Sequence, residues 1–137
     1  MERPATQPLA AVALGLAMLA APEAALAQAK AAAGVVKVRI IADTYVVVDQ
    51  HPVVVLESDK VARITWELPG KPSPWRFQDD GIAIDQGQFL GCRVEAQGLK
   101  FSCVDKPPPR NKQSYPYRIT VHNGAKSIFA DSAVQND

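Results

Sequence analysis

Residues 62–68 alternate without a break: Ala62, Ile64, Trp66 and Leu68 point one way along an extended chain, Arg63, Thr65 and Glu67 the other. A period of two belongs to a strand with one face on a core and one in water, and no helix can bury such a set on one side. The same period runs through Val36-Lys37-Val38-Arg39-Ile40 and through Tyr115 to His122, where Tyr117, Ile119 and Val121 oppose Arg118, Thr120 and His122. Tyr45–Val48 and Val53–Glu57 are β-branched and almost continuous, and read as a second and third strand, one of them central. Turn signals separate these runs: Asp49-Gln50-His51-Pro52, Pro69-Gly70, Asp79-Asp80-Gly81 and Asn123-Gly124, the last leading into Ser127–Ala130. About eight short strands spaced near ten residues apart predict an all-β, antiparallel two-layer sandwich. Trp66, central in its strand, is the expected core anchor.

The two cysteines sharpen this picture. If Gln97-Gly98 is a two-residue hairpin turn, Ala96 opposes Leu99, Val94 opposes Phe101 and Cys92 opposes Cys103, since paired positions keep a constant index sum. Directly opposed strand residues have Cα atoms about 4.5–5.5 Å apart, within disulfide reach. By the chain-entropy account a loop this short contributes somewhat under about 3 kcal/mol. Gln before Gly suits a type I′ turn less well than Asn or Asp, and a bulged three-residue loop would shift the register by one.

A disulfide requires an oxidising compartment, and the N-terminus supplies a route to one. Arg3 in a polar head, an apolar run of 13 residues from Leu9 to Ala21, and Ala25-Leu26-Ala27 before Gln28 have the order of a cleavable signal peptide. The run is shorter than the roughly 20 residues of a spanning helix, and no second one follows. The expected organisation is a signal peptide over 1–27, a flexible leader over 28–34, a sandwich over 35–132 and a frayed tail over 133–137. The expected address is periplasmic or secreted, with no membrane span after cleavage. Removing Arg3, Glu2 and Glu23 with the signal peptide leaves 110 residues bearing 14 basic and 12 acidic side chains. That balance gives no basic excess and argues against a nucleic-acid partner.

The segments Ile64-Thr65-Trp66, Phe89–Cys92 with Phe101-Ser102-Cys103, and Tyr115-Pro116-Tyr117-Arg118-Ile119-Thr120-Val121 resemble a class of small exported β-sandwich proteins of Gram-negative bacteria. The resemblance covers roughly residues 61–121. It implies an immunoglobulin-like or cupredoxin-like outline, and no activity comes with it.

A cupredoxin-like outline raises copper. Such a site needs two histidines, a cysteine thiolate and a long axial ligand. The chain has only His51 and His122, its methionines are Met1 and Met18, and nothing after Cys103 in Val104-Asp105-Lys106-Pro107 supplies a ligand. Asp79-Asp80-Gly81 with Asp85 lacks the spacing of a calcium loop, and Asp79 and Asp80 read as the opening of a turn. No Gly-x-Ser-x-Gly elbow and no His-Glu-x-x-His pair occurs. No cofactor is expected, and recognition by loops remains. Two loops stand out: Pro69–Arg76, with Trp75 as core plug or exposed anchor, alternation with Phe77 favouring the core, and the proline-stiffened Lys106–Lys112. In the second, Lys106, Arg110 and Lys112 would lose little entropy on docking to an acidic partner; alternatively its prolines only block edge pairing and its charges keep it soluble. The expectation is a non-catalytic binding or interaction module for a protein or envelope component. Its rival is a metal-handling protein using His51 or His122 with carboxylates.

Overall fold

In Ala62–Glu67 the buried side chains are Ile64 and Trp66, while Arg63 is exposed and Thr65, between the two, is half-buried, as the alternation requires. The computed structural model describes residues 34–60 and 62–137. The expected signal peptide and cleavage point, and the expected leader as far as residue 33, lie outside the described residues. In chain order the strands are β1 (Val35–Ile41), β2 (Tyr45–Val48), β3 (Val53–Val55), β4 (Ala62–Glu67), β5 (Ile82–Ala83), β6 (Phe89–Glu95), β7 (Lys100–Asp105), β8 (Ser114–His122) and β9 (Ser127–Asn136). They form a five-stranded sheet, β2-β1-β4-β7-β6, and a four-stranded sheet, β3-β9-β8-β5. So β2 and β3 are both edge strands, where one of them was expected to be central; their β-branched runs pack on one side only, and Tyr45 and Val54 face outward. The predicted all-β sandwich is the fold.

Its pairing is mixed where the sequence suggested antiparallel strands throughout. β1 lies parallel to β4, with Val36 opposite Trp66, and β3 lies parallel to β9, with Val53 opposite Val134. After the β1–β2 hairpin the chain crosses to the other sheet for β3 and returns to place β4 beside β1, a route that alternation does not encode. The frayed tail is also corrected. Ala133, Val134 and Gln135 pair with Pro116, Tyr115 and Ser114 of β8, and Val134 and Asn136 are fully buried. The end of the chain is therefore a strand held between two neighbours.

The cysteine hairpin keeps the predicted index sum, with Val94 opposite Phe101 and Arg93 opposite Ser102. Cys92 and Cys103 form a disulfide with Cα atoms 4.1 Å apart. Gln97 and Gly98 take φ of 57° and 90°, and the Leu99 N–H donates to the Ala96 carbonyl at 3.1 Å, as in a type I′ turn. Gly98 is required twice over: its φ is positive, and a Cβ there would meet Arg76 Cβ and the Phe77 carbonyl at 3.0 Å. A bulge between Leu90 and Arg93 then slips the register by one, and Gly91 supplies the positive φ of 60°.

Between the sheets, Trp66 of β4 meets Tyr117 of β8 edge to face with centroids 5.2 Å apart, and Phe89 of β6 meets Tyr115 of β8 at 5.4 Å. Both contacts join one sheet to the other and add to the gain from area burial alone. Trp66→Ala is expected to lower unfolding stability by about 3–5 kcal/mol, a large share of the ~5–15 kcal/mol of a typical domain. Urea unfolding followed by far-UV circular dichroism checks it.

Candidate binding surface

The Pro69–Arg76 loop does not present its tryptophan. Trp75 is buried in the core cluster, and its indole Nε1–H donates to Asp43 Oδ1 at 3.0 Å. The reason is backbone pairing just beyond it: Arg76 exchanges two hydrogen bonds with His122 (2.8 and 2.9 Å), and the Phe77 N–H donates to Gly98 (2.7 Å). This lays the loop along β8 and turns Trp75 inward, as a plug.

The second loop is divided. Lys106 and Lys112 are exposed, whereas Arg110 is buried. Its guanidinium donates to the carbonyls of Lys106 (2.7 Å), Leu56 (3.0 Å) and Asp59 (2.8 Å), and its Nε stands 3.6 Å from Asp105 Oδ2. Asp105 points into the core from the end of β7 and accepts through Oδ1 from Gln88 (2.6 Å) and from Asn136 (3.4 Å). Arg110 is thus a clasp that joins the post-β7 loop to the Leu56–Asp59 turn, and it is removed from the expected docking set. Losing one member of a buried ion pair costs far more than the pair itself contributes.

The histidines stand apart. His51 Nδ1 meets Ser132 Oγ at 2.5 Å, and His122 Nε2 meets Asp80 Oδ1 at 3.0 Å. Ser132 lies five residues along β9 from Ser127, the cross-strand partner of His122, which is about 16 Å at the strand rise. The His122–Asp80 pair edges a shallow cleft of about 260 Å³ lined by Gln78, His122, Gly124, Ala125, Lys126 and Ser127. Among the described residues, no three His, Cys, Asp or Glu side chains converge as a metal-ligand group.

Charge concentrates on the outer face of the five-stranded sheet. Strand register places Lys37 opposite Glu67, Glu67 opposite Lys100 and Lys100 opposite Glu95, a row of alternating sign across four strands. Lys37 Nζ–Glu67 is 2.7 Å, Lys100 Nζ–Glu67 3.5 Å and Arg93 Nε–Glu95 2.8 Å. Arg39 and Arg63 share this face, and Arg63 donates to Ser102 at 3.4 Å. Five cations therefore meet two carboxylates on one face, with Asp49 at its rim accepting from the Lys37 backbone N–H at 2.8 Å. The hydrogen bond from Lys37 holds the Glu67 carboxyl below its ordinary range, and the reciprocal bond holds the Lys37 ammonium above its own. Arg93 lowers Glu95 in the same way. On the opposite sheet Arg118 lowers Asp131 through a 2.8 Å hydrogen bond, and its guanidinium lies 4.1 Å from the centroid of the Phe129 ring.

Alternation in β1 and β4 shows that these side chains face water. It does not show that β1, β4, β7 and β6 are neighbours, so the sum of their outward charges emerges only once the sheet is assembled. In comparison with known proteins, no family model matches the chain, and no curated protein matches it.

Arg110→Ala is expected to destabilise the fold by about 3–5 kcal/mol, whereas Lys106→Ala and Lys112→Ala stay within about 0.5 kcal/mol; thermal and urea unfolding of the three variants separates them. A carboxylate lowered on folding contributes stability above its unfolded value and loses it as pH falls through its folded one. Glu67, Glu95 and Asp131 all act in that direction. The urea midpoint should hold from pH 7 to about pH 5 and fall below about pH 4, with a smaller fall in 0.5 M salt because the pairs are exposed.

Proposed function

We propose that this chain is an exported, non-catalytic interaction module, directed to the periplasm or the medium, that meets its partner across a sheet face. The observation that carries this is the excess of cations over carboxylates on the outer side of the five-stranded sheet, in a chain whose whole charge is close to neutral. A rigid scaffold with one charge-biased face favours encounter with an anionic partner. The disulfide fits an oxidising compartment, and the signal-peptide pattern of residues 1–27 supports export.

Lys106 and Lys112 flank this reading as exposed cations on a loop fastened by Arg110. Native mass spectrometry of the protein recovered from the exported fraction of its own cells tests it. The expected species begins at Gln28, lacks the two thiol hydrogens and carries no stoichiometric metal. An intact Met1 with free thiols overturns export, and a stoichiometric metal adduct overturns the interaction-module reading in favour of metal handling through His51 or His122.

A further inference from the structure

We infer that the outer face of the five-stranded sheet is a docking surface for an anionic lipid bilayer, with the tip of the β1–β2 hairpin as its insertion point. This rests on the interaction-module reading and names the partner. The cations alone would suit any polyanion. The side chains that share their face narrow the choice.

Ile41 and Tyr45 face each other across the hairpin and are 45% and 64% exposed. Alternation in β1 puts Ile41 on the same side as Lys37 and Arg39, and Val47, opposite Arg39, stands beside them. A soluble polyanion would reward only the cations. A bilayer interface rewards both sets, since cations meet anionic headgroups while an aliphatic side chain and an amphipathic tyrosine enter the boundary of the acyl chains. The face is an open sheet surface, and its charges are spread along strands about 4.8 Å apart, which matches a planar array of headgroups better than a single chain in a groove.

The hairpin tip is braced for this use. Ala42 and Asp43 take φ of 54° and 50°, the Thr44 N–H closes the turn on the Ile41 carbonyl at 3.0 Å and the Thr44 hydroxyl donates to the Ala42 carbonyl at 2.8 Å. The one acid at the tip, Asp43, accepts from the buried Trp75 indole. That bond ties the tip to the core and directs its carboxylate at the body of the protein. Glu67 is bound to Lys37 and Lys100 and Glu95 to Arg93, with Arg63 close enough to Glu95 to lower it further. Five cations thus share two carboxylates, and Arg39 and Arg63, outside the ion pairs, are the ones a headgroup would neutralise first.

The test is sedimentation of the exported protein with vesicles of phosphatidylcholine alone and with vesicles containing one-third phosphatidylglycerol. Binding is expected to the anionic vesicles and to fall steeply between 50 and 500 mM salt. The double variant R39Q/R63Q should weaken it roughly tenfold. The variant I41S/Y45S should weaken it by a similar factor while leaving retention on immobilised heparin unchanged, because heparin reads only the charges. Both pairs are on the surface, and unchanged thermal unfolding shows that the fold is kept. All variants share one N-terminus, so their differences report the face. Equal sedimentation with neutral and anionic vesicles, no sedimentation with either, or heparin binding without vesicle binding each overturns the bilayer assignment. None of these alters the mass-spectrometric result, which judges the interaction-module reading by itself.

Discussion

Trp66 packed edge-on against Tyr117 is the contact on which the two sheets depend. It joins the central strands of both layers, and the strands on either side are aligned by it. Val36 and Phe101 flank Trp66 through the β1–β4 and β4–β7 registers, so a shift of one residue in β4 would turn its whole apolar set outward. The second aromatic pair, Phe89 with Tyr115, fixes the start of β8, two residues before Tyr117, against the edge strand β6. The disulfide lies between these two levels, opposite Ile64 in the register of β4 and β7. It constrains the unfolded chain, while the aromatic contacts determine which sheet faces which.

A polar cluster closes the far end of this core. Asp105 occupies an inward position between Ala62 and Phe89 in the cross-strand register, where an apolar residue would be simpler to bury. Its ion pair with Arg110, and the three carbonyls that Arg110 satisfies, join four separate stretches of chain: the Leu56–Asp59 turn, β7, the loop after β7 and, through Asn136, the C-terminal strand. Such a cluster contributes little net stability compared with an apolar core, and its loss is costly because the remaining partner stays buried and charged. The proline-rich loop that carries Lys106 and Lys112 is therefore fastened to the body of the domain through Arg110.

The charge-bearing face follows from the same scaffold. Cross-strand rows place Lys37 and Lys100 beside Glu67, and Glu95 holds Arg93 along its own strand, which keeps the three cations extended along the surface. The surplus then falls to Arg39 and Arg63, one on each of two adjacent strands. Near the β1–β2 tip, apolar and cationic side chains stand together because Ile41 continues the outward series of Lys37 and Arg39. The hydrogen bond from Trp75 to Asp43 couples that tip to the core, so the buried tryptophan of one loop supports the exposed tip of another.

The sequence by itself determined the strand character of nearly every segment, the inward set of each alternating run and the cysteine pairing, because these depend on local period and on one short turn. Trp66 was legible as a core anchor for the same reason. What only the tertiary structure decided were matters of partnership over long separations. Alternation states that Arg110 and Trp75 belong to loops, and says nothing of the carbonyls 51 and 54 residues away that draw Arg110 inward or of Asp43, 32 residues from Trp75. The C-terminal residues gave no strong period, yet two neighbouring strands supply the hydrogen bonds that order them. The parallel pairs and the cationic face have one origin: which strands become neighbours is set by how whole faces pack, a property of the assembled sheets and not of any one segment.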